Sequence, residues 1–381
     1  MIQFNSSRFL TRVDREAKTL AGAGHEVVLL ALKDPDTEAT EEREGYVVRR
    51  VAVLTRRLPR WTIFKPLKAW EGAWRMFWRA WRSRSDVYDV RDLEPMAIGW
   101  LAARMRRAKL VYSSDELCLE RNGFDRKPSW LRALYGAYER FFIRRADVVI
   151  STDRYRGKEL ARRYPGIRPI IVRNVSELVK PMPKKAALPE LKGRGLRLMI
   201  YQGLLSKGRG LEQAIHSLEQ LEDFALLIVG YGPLEAELRM LAEELRVSDR
   251  VVIREAVPFN KLVKYTAAAD AGLVLIQDVC RSYYLCAPNK FYEYMMMGVP
   301  VVASDFPEMR DVIAQHPVGV LVEDPSNSRS LVRAVRKMFA DEDAYRDMRK
   351  TAREVALKRF NWGVEQKGLI VAYERILNSA K

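Results

Sequence analysis

Two short segments in the second half of the chain bring phosphate-binding chemistry within reach. Residues 198–215 (LMIYQGLLSKGRGLEQAI) read as a strand, a tight glycine-bearing loop and the start of a helix. Gly203, Gly208 and Gly210 let the backbone come close to a ligand. The helix beyond them offers free N–H groups and partial positive charge to an anion. Lys207 and Arg209 add mobile cations at the same rim. The spacing nears that of a P-loop but has Arg209-Gly210 where Lys-Ser/Thr is required, so magnesium–triphosphate chemistry is not supported. The second segment is residues 287–305 (APNKFYEYMMMGVPVVASD). Asn289 and Lys290 fall at the opening of a helix, near its free N–H groups. Glu293 lies three residues on, hence on the same side as Lys290. A cation with a carboxylate one turn away suits a nucleoside diphosphate, Lys290 holding phosphate and Glu293 accepting from the ribose hydroxyls. Tyr294 and Met295–Met297 read as core filling. Each segment alone also fits a blander reading: a turn serving topology only, and a solvated ion pair.

Strands alternating with helices must position these residues. In the first half, apolar strand runs fall at 2–4, 26–32, 46–53, 87–90, 109–112 and 147–151, with helical periodicity at 13–24, 65–81, 95–106 and 129–145 and a polar loop at 34–45. Residues 176–195 (SELVKPMPKKAALPELKGRG) break this rhythm with prolines, glycines and lysines and read as a linker. The alternation restarts with strands at 197–202, 224–229, 251–254, 272–275, 299–304 and 319–322, ending in two closing helices. Near-continuous apolar strands between helices predict an α/β fold: two doubly wound, Rossmann-like halves with parallel sheets facing a cleft, ligands binding beyond the carboxyl ends of the strands.

Composition narrows the function further. The chain has 381 residues, 48% hydrophobic and 30% charged, enough for two cores. Its apolar runs are too short to span a bilayer, and it opens without a basic-then-apolar leader, so a cytoplasmic protein is expected. Three cysteines and three scattered histidines argue against a disulfide scaffold, a zinc module or a histidine-based triad. The net charge of +17 attracts phosphorylated substrates, acidic membranes or nucleic acid. Much of it sits in one stretch, where Arg56, Arg57, Arg60, Lys65, Lys68, Arg75, Arg79, Arg82 and Arg84 face one acid, Glu71. At helical spacing, Leu67, Trp70, Trp74, Phe77, Trp78 and Trp81 fall on one face, with Arg75 and Arg79 beside it. This face suits either the headgroup zone of an anionic membrane, at the inner surface of the cell membrane, or packing onto the sheet with the arginines at the rim.

Taken together, these segments resemble the glycosyltransferases of family 4, which have the two-domain GT-B fold. The family's loop appears as Gly203-Leu204-Leu205 through Arg209-Gly210, and its Lys-x-x-Glu-Tyr-Met stretch runs from Lys290 to Val302. Gly230-Tyr231-Gly232-Pro233, Val257-Pro258 and Phe306-Pro307-Glu308 match as well. In the front half, Arg12–Glu16, Ala21–Val27 and Tyr112–Leu117 match, and near the end Phe360-Asn361-Trp362 matches the closing crossover. The resemblance implies a retaining, hexosyltransferase-like enzyme, with no cofactor or obligatory metal. It would move a sugar from a nucleotide-diphosphate donor, UDP-sugar favoured, to a hydroxyl acceptor in polysaccharide, glycolipid or other glycoconjugate synthesis. It further implies an acceptor domain over residues 1–175 joined by a crossover helix at 363–381, and a donor domain over 196–362. Arg209, Lys290 and Asp115 become the expected catalytic residues, and Gly203, Lys207, Gly208, Gly210, Gly230, Gly232, Val257, Asn289 and Glu293 the donor-binding ones. Departures from the family pattern are Leu285 for its first glutamate, Leu204 for a basic residue, Glu255 for a glycine and Asp115 for a sugar-contacting histidine. Two other classes stand beside this reading: a nucleotide-sugar epimerase of the same architecture, for which acid/base residues are scarce, and a nucleic-acid-binding protein. The latter explains the charge but not the phosphate-and-ribose pair, so no nucleic acid is expected as a partner.

Overall fold

Runs such as VVLLAL and FALLIVGY are apolar on both faces, so they are stable only when covered on both sides. The computed structural model, which describes residues 1–5, 11–57 and 64–378, places them in parallel sheets between helices. Arg60 and Trp61 of the basic stretch, and the side chains of Arg56, Arg57 and Lys65, lie outside what is described. The chain divides into two compact units, residues 1–173 with the chain from Gln366 on, and residues 174–365.

In the first unit the order is α1 (Thr11–Gly22), β1 (Val27–Leu32), β2 (Thr40–Arg43), β3 (Tyr46–Val51), α2 (Lys65–Arg82), β4 (Val87–Arg91), α3 (Met96–Arg106), β5 (Lys109–Ser114), α4 (Ser129–Ile143), β6 (Val148–Ser151), α5 (Arg154–Arg163) and β7 (Ile170–Ile171). Strands β4-β5-β6-β7 pair in parallel, as do β1 and β3. The expected first strand shrinks to Ile2, which bridges Leu30 and Val90 and so ties β1 to β4. Strand β2 lies inside the stretch read as a polar loop. Its sequence TEER pairs antiparallel on the edge of β3 and buries no side chain, so no apolar alternation could signal it. Helix α5, rich in arginine, also falls where no element was expected.

The second unit runs β8 (Arg197–Leu204), α6 (Leu211–Ser217), β9 (Phe224–Tyr231), α7 (Glu235–Glu244), β10 (Val251–Glu255), α8 (Phe259–Ala268), β11 (Ala271–Val274), α9 (Arg281–Tyr284), α10 (Asn289–Met296), β12 (Val301–Ser304), α11 (Pro307–Gln315), β13 (Gly319–Val322), α12 (Ser328–Met338), α13 (Glu342–Lys358) and α14 (Trp362–Asn378). Three helices close the chain, not the expected two. The last starts in the second unit, where the Trp362 N–H donates to the Ser176 carbonyl, and continues in the first, where the Tyr373 hydroxyl donates to Asp89. The expected linker belongs to the second unit: the Ala186 N–H donates to the Lys264 carbonyl at 2.9 Å, and Arg353 donates to the Val179 carbonyl at 2.6 Å.

The sheet order β10-β9-β8-β11-β12-β13 is parallel throughout, and the direction of winding reverses between β8 and β11. Ligands in such sheets bind beyond the strand ends at this reversal. One glycine sets what stands above it. A Cβ on Gly272 in β11 would lie 2.3 Å from the Tyr294 ring, so only glycine lets α10 settle this close to the sheet. The Tyr294 hydroxyl then accepts from the Gln202 N–H of β8 at 3.1 Å, which fixes α10 over the end of that strand.

Candidate active site

The glycine loop leaves β8 at the winding reversal. Gly203, Gly208 and Gly210 have φ of 128°, 81° and 69°, conformations that side chains resist. A Cβ on Gly203 would lie 3.3 Å from the Lys290 Nζ, so the missing side chain leaves room for the ammonium. Gly230 and Gly232 bring the end of β9 against the same loop, where a Cβ on Gly230 would meet the Gly203 carbonyl oxygen. Lys290 lies in the first turn of α10, beside Asn289, with its Nζ 3.5 Å from the centroid of the Tyr201 ring. That ring is held by its hydroxyl, which donates to the Leu204 carbonyl at 2.7 Å. Arg209 stacks on Tyr283 of α9, 4.6 Å from the ring centroid, and donates to its hydroxyl at 3.2 Å. Its buried Nε has no hydrogen-bond partner.

The electrostatics follow. Burial, and then the positive charge of Arg209, hold the Lys290 ammonium well below the usual lysine range, and the charge of Glu293 offsets this only in part. Neither cation forms an ion pair among the described residues. Two cations that repel each other across a partly dry site, with an orphaned guanidinium N–H, suit a dianion.

Glu293 is held for a different task. Its carboxylate accepts from the Gln202 side-chain amide, and the Gln202 carbonyl oxygen accepts from the Thr266 hydroxyl at 2.8 Å. The hydroxyl thereby fixes which end of the amide faces Glu293. Gln202, Thr266, Tyr201 and Tyr283 were not singled out from sequence. Their partners are distant along the chain, and only the adjacency of Tyr201 and Gln202 to Gly203 hinted at a role. Lys207 is exposed and forms no ion pair among the described residues, while Val257 sits half-buried beyond the end of β10. Leu285, in place of the family's first glutamate, is buried apolar filling, and Tyr294 and Met295–Met297 are core as expected.

Asp115 belongs to a separate cluster in the first unit, just beyond the end of β5. Its carboxylate lies 3.2 Å from Arg12 Nε and 3.9 Å from Arg91 Nη1. Both guanidinium groups also pair with the buried Glu16, and Arg91 with Asp89. Asp92 follows β4 in the left-handed region (φ 60°) and accepts from the Asp115 N–H at 3.2 Å. Burial and then the charge of Asp115 push its carboxyl up to about 7. A cavity of about 790 Å³ elsewhere in this unit is lined by Arg84, Arg106, Arg107 and Lys109. Helices α2, α3 and α14 end there, so these cations answer the negative ends of three helices and do not make an anion site.

Helix α2 settles how its tryptophans pack. Met76 and Ala80 are the apolar side chains buried against the fold, while Trp70 and Trp74 are 63% and 49% exposed. Trp78 is half-buried, edge-on between Trp74 and Trp81, Arg79 is exposed, and Arg75 pairs with Glu71 at 2.6 Å. Of the two expected placements of the aromatic face, packing onto the sheet is therefore corrected for Trp70 and Trp74.

Comparison with known proteins gives the family. Residues 189–355 match the family model of glycosyl transferases group 1, and residues 10–174 that of the glycosyl transferase 4-like domain. Among curated proteins, the chain is 26% identical over 141 residues to a chitobiosyldiphosphodolichol beta-mannosyltransferase of Candida albicans, covering 36% of this chain and 30% of that protein. It is 25% identical over 301 residues to a D-inositol 3-phosphate glycosyltransferase of Xylanimonas cellulosilytica, covering 72% and 68%. The chain thus spans about a third to two thirds of the length of these relatives. Among solved structures, sucrose-phosphate synthase of Thermosynechococcus elongatus aligns with a TM-score of 0.79 at 20% identity, covering 96% of this chain and 93% of that one. Anabaena HepE in complex with UDP aligns at 0.73 and 15% identity, covering 98% and 99%. The two family models favour a glycosyltransferase over the epimerase and nucleic-acid-binding readings, and the chain belongs to the GT-B glycosyltransferases, with a family 4-like first unit.

Proposed function

We propose that the protein is a retaining glycosyltransferase that takes a sugar from UDP and passes it to a hydroxyl acceptor, in the synthesis of a polysaccharide, glycolipid or other glycoconjugate. The observation that carries the donor half is the pair Lys290 and Arg209: two cations with no ion-pair partner among the described residues, over a glycine loop, beside a carboxylate fixed by Gln202. Lys290, Arg209 and the N–H groups of the loop hold the diphosphate, while Glu293 accepts from the ribose hydroxyls. UDP is favoured because a protein of the same fold, HepE, binds it. As the bond from the anomeric carbon to the diphosphate breaks, negative charge grows on the leaving oxygen, where both cations stabilise it. The acceptor oxygen bonds to the anomeric carbon on the same face, and its proton passes to the departing diphosphate, so configuration is retained. Two side-chain cations make a metal ion unnecessary for this step. Asp115, 31% exposed, accepts from a sugar hydroxyl where the family has a histidine. The exposed Trp70 and Trp74 with Arg79 support a peripheral position on the inner surface of the cell membrane; no described helix is long and apolar enough to cross it.

The test is thermal stabilisation by a panel of nucleoside diphosphates and their sugars, followed by turnover assays. UDP is expected to raise the Tm of the parent. Arg209→Ala and Lys290→Ala are each expected to lower turnover about a hundredfold or more, the scale of one lost transition-state donor. Full activity in both variants, or no stabilisation by any nucleotide, overturns the assignment.

A further inference from the structure

Helix α2 does not stand alone. Its C-terminal turn touches α3, where Arg106 donates to the Trp81 carbonyl at 2.8 Å and stacks 4.4 Å from the Trp81 ring. Helix α3 in turn meets α4 through Trp100, whose ring lies 5.7 Å from Phe141. All three helices leave large apolar side chains in solvent: Leu101 and Met105 on α3 lie one turn apart, and so do Trp130 and Leu134 on α4, which are 67% and 58% exposed. None of these four was anticipated from the sequence.

The exposed charge on the three helices themselves has one sign. The three helices hold only two acidic residues, Glu71 and Glu139, and both are buried and occupied. Glu71 accepts from the Leu54 and Thr55 N–H groups and pairs with Arg75, and Glu139 accepts from the Tyr112 and Tyr164 hydroxyls. Arg79, Arg82, Arg104, Arg132 and Arg140 are exposed with nothing acidic on their helices to answer them. A second copy of this face would bring like charges together, which opposes self-association.

We infer that α2, α3 and α4 form a single docking surface for an anionic phospholipid bilayer, with Trp70, Trp74, Leu101, Met105, Trp130 and Leu134 entering the headgroup boundary and the arginines meeting lipid phosphates. Tryptophan and arginine together suit that zone, where an indole sits between water and acyl chains and a guanidinium binds phosphate in a bidentate manner. The inference rests on the peripheral-membrane part of the function proposed above and extends it from one helix to three. Lipid surface laid along three helices fixes the orientation of the whole unit, which a single helix free to roll about its axis does not.

Sedimentation with vesicles of phosphatidylcholine, with and without phosphatidylglycerol, tests this. The parent is expected to bind only the phosphatidylglycerol vesicles. Trp130→Ser/Leu134→Ser on α4 and Trp70→Ser/Trp74→Ser on α2 are each expected to weaken binding about tenfold or more, equivalent to about 1.4 kcal/mol. Stabilisation by UDP should be unchanged in both variants, which checks that they are folded. If the α2 variant loses binding and the α4 variant matches the parent, the three-helix surface is refuted while the single-helix reading stands. A parent that binds neither vesicle removes both. Equal binding to the two vesicle types overturns the charge argument and the inference with it.

Discussion

At the end of β8, Lys290 and Arg209 have no ion-pair partner among the described residues, whereas beyond β4 and β5 the guanidinium groups of Arg12 and Arg91 are matched by Glu16, Asp89 and Asp115. Both clusters lie at the carboxyl ends of parallel strands and both are mostly out of water. In the second unit the charge is left over among the described residues, which suits an anionic ligand. In the first it is neutralised internally, leaving a carboxylate at the surface that suits a neutral hydroxyl. The same fold thus leaves its cations unpaired or balances them with carboxylates of its own, and the first arrangement suits a phosphate, the second a sugar hydroxyl.

The comparison breaks first if Lys290 does not respond to pH. With its ammonium held below the ordinary lysine range, the free enzyme has lost that proton over part of the window below the unfolded value, and a bound diphosphate restores it. Proton uptake on binding means that UDP affinity falls as pH rises, approaching tenfold per pH unit. The series belongs above about pH 7, where the second phosphate proton, with a pKa of about 6, is already gone. Stability of the free protein has the opposite slope: its native state binds fewer protons than the unfolded chain in this window, so stability rises with pH. Lys290→Arg is expected to flatten the affinity curve, because a guanidinium does not deprotonate in water. Calorimetric titration of parent and variant with UDP reads the slope; equal slopes would remove Lys290 from the phosphate site.

Asp92 sharpens the other side. Its carboxyl titrates near 7, above the unfolded value, so the native state favours the protonated form and stability falls as pH rises from about 4 through 7. Asp92→Asn keeps an oxygen for the Asp115 N–H and suits the left-handed backbone. With a side chain 25% exposed, solvent screens part of the penalty, and the variant is expected to gain on the order of 2 kcal/mol at pH 8 and nothing at pH 3. Tm measured at both values decides: a variant no more stable at pH 8 would show that Arg121, 3.3 Å away, already compensates the charge.

What the sequence made legible follows from distance along the chain. The alternation of strands and helices, the loop glycines and the three-residue step from Lys290 to Glu293 are local patterns, and each falls where expected. Strand β2 has no buried face to produce a pattern. The Asp115 cluster joins residues from α1, β4 and β5, and neither Arg91 nor Asp92 differs in its neighbours from an ordinary charged residue at a strand end. Gln202 and Thr266 are of the same kind: the first looks like a polar residue in an otherwise apolar strand, the second like one more position on α8.

That pair gives the smallest effect and the closest test of how the donor site is built. Thr266 is 1% exposed and lies behind Gln202, so it acts on a nucleotide only through the amide. Its hydroxyl reaches Gln202 at 2.8 Å and also bonds the Leu262 carbonyl at 3.0 Å. Thr266→Val keeps the shape and removes the hydroxyl, leaving the Gln202 oxygen without its donor and the amide free to flip its oxygen toward the Glu293 carboxylate. Loss of one such hydrogen bond is worth about 1 kcal/mol, so KM for the donor is expected to rise about fivefold with kcat nearly unchanged. Thr266→Ser, which retains the hydroxyl, should restore KM. A valine variant with unaltered KM would mean that Glu293 keeps its orientation without the amide, and that the proposed ribose contact depends on α10 alone.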